Sequence, residues 1–321
     1  MSVQVVADGL GFTEGPVALP DGRVALVSIS HGCVYVVAPS GAVDRVATGG
    51  GPNGLALGPS GELYVAQNGG AWGASGRSQP GVQVIRDGKV EYLATAGLSA
   101  PNDLAYGPDG RLWVTDTVAE MEWGRPETGR PGKVVAVDIS DGAAEVLLEE
   151  GPIFLNGLAF SVDDTQLLVT STAEHRLLAY PLRHAAPSGP APSGPSPSEL
   201  APARGRAGLV QVEPEPRLIM EFEPGASTDG MTRTAANQFW VALLGADRLD
   251  LVAPERGVVA SVDVPPGSLP TNVCVDATGG LLVTAAFEGA LLRVAGDTWV
   301  SSPRSLHGSR PATPSADGQL P

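Results

Sequence analysis

The sequence predicts an all-β fold, a six-bladed β-propeller with four-stranded antiparallel blades, and three observations carry that prediction. One phrase recurs six times along the 321 residues. The composition is rich in turn formers, with Gly 42 and Pro 29, and helical heptads are missing. The repeat length suits a unit of four short strands.

In chain order the repeats read "TEGPVALPDGRVALVS", "PNGLALGPSGELYVAQ", "PNDLAYGPDGRLWVTD", "LNGLAFSVDDTQLLVT", "TDGMTRTAANQFWVAL" and "TNVCVDATGGLLVTAA". In each, a polar residue leads into a short alternating strand, a turn follows, and a second alternating strand completes a hairpin. The turns Pro-Asp-Gly, Pro-Ser-Gly, Asp-Asp-Thr, Ala-Asn-Gln and Thr-Gly-Gly supply residues that tolerate the positive φ of tight hairpins. The leading residues stand at 14, 53, 102, 156, 229 and 272, at intervals of 39, 49, 54, 73 and 43.

Only the fourth interval departs. It contains a Pro/Ser/Gly/Ala tract at 184–208 with almost nothing to bury, expected to be a disordered or extended excursion from a blade edge. The tail at 303–321 has the same character. Setting both aside leaves about 46 residues per repeat, within the ~40–50 of a propeller blade. A single propeller over 1–302 is the expected domain.

A net charge of −15 argues against nucleic acid or an anionic membrane as partner, and is compatible with cation binding. The beginning "MSVQVVADGLGF" has neither a basic segment nor a long apolar one, and no stretch approaches the ~20 apolar residues of a membrane span. A soluble, cytoplasmic protein is expected, monomeric or a small homo-oligomer. Cys33 and Cys274 are far apart and sit in alternating apolar runs, where a free thiol acting as a small hydrophobe is expected.

An isolated Asn-Gly such as Asn156–Gly157 reads as a turn pair. Six repeats change that. In a propeller the innermost strand of each blade lines the central channel, so residues at one repeat position form a ring. That ring reads Glu14, Asn53, Asn102, Asn156, Asp229, Asn272, and every member carries a side-chain oxygen. Oxygen donors without His or Cys suit a hard divalent cation. Calcium takes 6 to 8 oxygens, so three or four side chains plus waters would complete its shell. Zinc, manganese or magnesium are the other candidates. Without a cation, Glu14 and Asp229 would be like charges converging in a partly desolvated mouth.

The phrases "TEGP", "PND", "LNG" and "TDGM", in that order and register, resemble the senescence marker protein / gluconolactonase / luciferin-regenerating enzyme family, with the related diisopropyl fluorophosphatases and paraoxonases. The resemblance spans roughly 5–296 apart from the insertion. It implies a six-bladed propeller with a catalytic divalent metal, often calcium, in the channel mouth. It also implies Glu14, Asn156 and Asp229 as metal ligands, with Asn102 on the metal or on the substrate. Glu120 falls where sugar-lactonase relatives place a substrate-contacting glutamate, and Asn53 and Asn272 complete the expected substrate-facing set. The animal sugar lactonases carry an arginine two residues before the "PND"-type asparagine; this chain has Ala100.

The implied chemistry is metal-assisted hydrolysis of a lactone, with Glu14 and Asp229 as catalytic candidates. Calcium lowers the pKa of water less than zinc does, so a carboxylate base is needed. Asp229 is the leading candidate and Asp103 a lesser one. A metal-binding propeller with a non-hydrolytic role, and a phosphotriesterase-like hydrolase, stay open as alternatives.

Other motifs carry less. "GGGPNG" at 49–54 satisfies G-x-G-x-x-G but introduces a strand where a nucleotide site needs a helix. Neither G-x-S-x-G nor H-E-x-x-H occurs. His31 suits a surface turn better than the channel, and His184 and His307 fall in the low-complexity regions. Trp72, Trp113, Trp123, Trp240 and Trp299 are expected to pack between blades. The segments 67–81 and 116–132 read equally well as a lid over the mouth or as surface loops.

Overall fold

The computed structural model describes residues 3–118, 121, 125–184 and 210–295. Six antiparallel sheets are arranged as the blades of a propeller. Blade 1 is complete in Thr13–Ala18, Val24–Ser28, Cys33–Val37 and Val43–Ala47, counted from the axis outward. The inner strands of blades 2 to 6 are Pro52–Leu57, Pro101–Tyr106, Leu155–Phe160, Thr228–Arg233 and Pro270–Val275. Each is one of the six sequence repeats.

The hairpin after each inner strand closes as its residues dictate. Gly22 and Gly110, ending the two Pro-Asp-Gly turns, have φ of 85° and 82°. Where the turn lacks that glycine, Asp164 and Asn237 take the left-handed conformation at 56° and 58°. Asp and Asn are the residues that do so at least cost.

Within each inner strand the ladder slips by one residue at the polar position, for example between Glu14 and Val17 and between Leu155 and Leu158. The same irregularity recurs in the other four blades. A β-bulge bends the strand and re-aims a side chain. Six bulges at one height therefore turn six polar side chains toward the axis. Strand backbones approach closely there: a Cβ on Gly54 would lie 2.6 Å from Asp103 Cα.

Hydrophobic faces of neighbouring blades make the core. Trp113 and Trp240 are fully buried in it, and Trp113 meets Phe160 of the next blade edge-on with ring centroids 5.1 Å apart. Cys33 and Cys274 are free, and burial pushes the Cys274 thiol up to about 12, as suits an unreactive packing residue. Trp123 and Trp299 lie outside the described residues.

The ring is closed by the N-terminal strand Val3–Ala7, which pairs with Ala290–Val294 as the outer strand of blade 6. Among the described residues blade 4 has five strands. Its long third strand, Arg176–His184, pairs on its outer side with both Arg217–Glu221 and the short Val210–Val212. Residues 185–208 of the expected low-complexity insertion lie outside the described residues, as does the 303–321 tail. His184, placed in that insertion by sequence, ends the third strand instead. Among the described residues no helix is long and apolar enough to cross a membrane.

Candidate functional site

The six ring residues are all buried, between 3% and 6% exposed. Glu14 lies within reach of Asp229 and Asn272 of the ring. Burial above all raises its carboxyl well above the usual range, the Asp229 and Asp103 carboxylates push it further, and hydrogen bonds from the Gly15 backbone and the Asn272 side chain pull it partly back. The Gly15 N–H donates to Glu14 Oε2 at 3.0 Å.

Asp229 is raised too, again by burial first; a hydrogen bond with the Asn156 side chain opposes the shift and Asp103 adds to it. Asp229 Oδ1 is buried and has no hydrogen-bond partner. Asn156 donates through Nδ2 to Thr172 Oγ1 at 3.0 Å, which leaves its carbonyl oxygen available. Glu14, Asn156, Asp229 and Asn272, contributed by four separate blades, are thus brought together.

Asn53 and Asn102 hold the equivalent positions of blades 2 and 3. Close strand approach sets them beside their neighbours: a Cβ on Gly15 would lie 2.8 Å from Asn53 O, and one on Gly54 2.8 Å from Asn102 O. Glu120 lies outside the described residues.

Sequence reasoning ranked Asp103 low, yet it forms a second layer beneath the ring. The position after the ring residue is Gly15, Gly54, Asp103, Gly157, Gly230 and Val273 around the channel, so one carboxyl stands where four blades have no side chain. Burial pushes Asp103 up to about 7, although Oδ1 accepts from the Leu104 N–H at 2.9 Å. The signal was present in the third repeat, where "PND" replaces "PNG".

Threonines were missed altogether. Thr115 Oγ1 in blade 3 donates to the backbone carbonyl of Asn156 in blade 4 at 2.6 Å, and Thr170 in blade 4 donates to that of Asp229 in blade 5 at 2.7 Å. Thr271 in blade 6 bonds Thr13 O, one residue before Glu14, at 2.8 Å. Glu14, Asn156 and Asp229 are therefore fixed, directly or through a neighbour, by a hydroxyl of the preceding blade.

The register places the mouth at the start of the inner strands. Gln67 pairs with Pro52 and Asp116 with Pro101, so the connections leaving Gln67 and Asp116 rise on that face. The first is ordered by Asn68, whose Oδ1 accepts from Gly70 and Ala71 N–H at 2.8 and 2.9 Å. It carries Trp72, which departs from the expectation of packing between blades: half-buried, it lies against Phe154 with ring centroids 5.4 Å apart. His31 is exposed, its Nδ1 2.9 Å from Tyr35 Oη. The opposite end of the channel opens into a cavity of about 520 Å³ whose lining includes Asp103, Asn272, Phe160 and Arg233.

Among the described residues no three His, Cys, Asp or Glu side chains form a metal-ligand group by themselves. A cation here would draw on amide oxygens as well as carboxylates. The donor set fits one on that basis: it is all oxygen, the carboxyls of Glu14 and Asp229 are destabilised as anions, and Asp229 Oδ1 is an orphaned acceptor.

Known proteins agree with the architecture. The sequence signature described as the SMP-30/Gluconolactonase/LRE-like region matches residues 12–193. Among solved structures, a luciferin-regenerating enzyme superposes with a TM-score of 0.71 at 16% identity, over 94% of this chain and 97% of that one. A gluconolactonase from Xanthomonas campestris gives 0.67 at 18%, covering 91% and 88%. Regucalcin from Agrobacterium tumefaciens, described as calcium-binding, gives 0.67 at 18%, covering 91% and 93%. No curated protein matches the chain in sequence.

Proposed function

The chain belongs to the SMP-30/gluconolactonase/LRE-like family, and from that premise we propose that it is a divalent-cation-dependent hydrolase that opens a lactone. The observation that carries this reading is the convergence of Glu14 and Asp229 with Asn156, all buried, around the unpartnered Asp229 Oδ1. Glu14, Asn156 and Asp229, with Asn102, would hold the cation. Calcium is favoured, because the donors are hard oxygens and the calcium-binding regucalcin shares the fold. The chemistry such an ion supplies when bound is polarisation of an ester carbonyl and acidification of a water.

The chain's own residues do the rest. Asp229 accepts the proton of the attacking water, as a carboxylate of the ring placed beside Asn156. Asn53, Asn102 and Asn272 present amides to the ring ester. Asp103 divides near pH 7 between acid and anion. In its neutral form it leaves the ring with the two negative charges of Glu14 and Asp229, which match a divalent cation.

A panel of aldonolactones, aryl lactones and phosphotriesters, assayed with calcium and with EDTA, tests the proposal. Ring opening abolished by EDTA and restored by calcium supports it. Tight calcium binding without hydrolysis of any lactone would overturn it in favour of a binding or rearranging role, and phosphotriester turnover alone would reassign the substrate class.

A further inference from the structure

We propose that Trp72 and Phe154 form an apolar wall at the mouth that selects lactones bearing an aromatic or alkyl group over polyhydroxylated ones; the inference rests on the hydrolase reading above. Trp72 belongs to the mouth-side connection of blade 2, and Phe154 immediately precedes the inner strand of blade 4. Blade 3 lies between them. With ring centroids 5.4 Å apart and planes tilted by 47°, the pair bridges the entrance of blade 3, from which Asn102 enters the ring.

The left-handed backbone recurs at three non-glycine residues of this entrance, as it does at Leu269 in the equivalent place of blade 6. Trp72 and Phe154 have φ of 50° and 53°, and Val118, on the same entrance, has 51°. Glycine adopts that conformation freely, whereas bulky side chains do so only under strain. Strain of this kind gathers at ligand-binding sites, where the surrounding structure sustains it. Two aromatic rings thus stand half-buried at the mouth of a polar channel, in contact with each other.

Hydrogen bonding at this entrance points the same way. The Asp116 carboxylate already takes the Ser99 and Ala100 N–H groups, both at 2.7 Å, and that of Val118 at 3.3 Å. Thr117 Oγ1 donates to Leu155 O at 2.7 Å. Among the described residues these donors are spent within the protein, and Ala100 offers only a methyl group. Asn68 Nδ2, buried and without a partner, stands at the root of the Trp72 connection. An amide donor of this kind serves an ester oxygen whatever substituent the lactone ring carries. Aromatic faces instead reward a flat or apolar substituent.

The test compares binding and turnover. Calorimetry on the calcium-loaded protein would use two uncleavable lactams, 3,4-dihydro-2-quinolinone and 2-piperidone. Turnover would use dihydrocoumarin, δ-valerolactone and glucono-δ-lactone. The aryl lactam should bind about tenfold or more tightly than piperidone, and Trp72→Ala should remove most of that preference. Trp72→Phe should retain it, and Phe154→Leu should weaken it in part. Equal binding of the two lactams by the unmodified protein, or an aryl preference untouched in Trp72→Ala, would overturn the wall. Should the aryl preference hold while no lactone is opened, the hydrolase reading fails and the wall stands. Should glucono-δ-lactone be the best substrate, the wall fails and the hydrolase reading stands.

Discussion

Thr170 Oγ1 of blade 4 donates to the backbone carbonyl of Asp229 in blade 5 at 2.7 Å, so the position of one candidate ligand is set by a hydroxyl of its neighbouring blade. Both residues are buried, and the bond crosses between sheets that share no backbone ladder. Thr170→Val keeps the shape and removes the donor. Leaving a buried carbonyl short of a partner should lower stability by about 1–3 kcal/mol. Calcium affinity should fall as well, because the bulge carrying Asp229 is released. Thermal unfolding and calcium calorimetry on the same variant check both effects.

Asp229→Asn should abolish lactone opening, since the amide cannot accept the proton that the carboxylate is placed to take. The unloaded variant should be at least as stable as the parent, because one of three mutually repelling buried carboxyls is gone. Near-normal turnover in this variant would remove Asp229 from the mechanism.

Stability of the calcium-free protein should fall as pH rises from about 4 to about 7. Asp103 has an ordinary value of 3.8 and a folded value pushed up to about 7 by burial, and Glu14 and Asp229 are raised in the same direction. Across that window the folded state binds more protons than the unfolded one, so each rise in pH favours unfolding. For Asp103 alone the loss is on the order of 4 kcal/mol once pH exceeds its folded value. Calcium should flatten or invert the slope above pH 6, and Asp103→Asn should reduce it. Unfolding midpoints between pH 4 and 8, with calcium and with EDTA, measure the slope.

Trp113→Ala should cost about 3–5 kcal/mol, because it empties a fully buried site shared by blades 3 and 4 and exposes the edge of Phe160. Denaturant unfolding checks the magnitude. Calcium affinity at 25 °C should hold while the fold does, since the Trp113 indole donates to Asp109 in the hairpin, at the other end of the inner strand from Asn102.

Most of the architecture was legible because it is periodic. A six-fold phrase fixes the blade number, and one polar position per phrase fixes the ring from Glu14 to Asn272. The departures are the parts that do not repeat. Val3–Ala7 closes blade 6 from the far end of the chain, and no local pattern marks that pairing. Val210–Val212 is too short to register as a strand beside a low-complexity tract.

At the site, the carboxylates and amides could be read from residue type alone. Thr115 and Thr170 share one place in the second strands, a visible regularity whose purpose depends on which blade lies next to which. Asp103 showed as a substitution for glycine, but only burial gives it a proton affinity near neutrality. The contact between Trp72 and Phe154 joins blades 2 and 4 across an intervening blade, through loops that have no period.

The most direct test of the central claim is a calcium titration by calorimetry of the chelator-treated protein beside its Glu14→Gln variant. The account predicts calcium binding at the mouth in the parent and a loss of tenfold or more in affinity in the variant, on the scale of breaking a buried charged contact. Equal calcium binding by both proteins, or none by either, would contradict it.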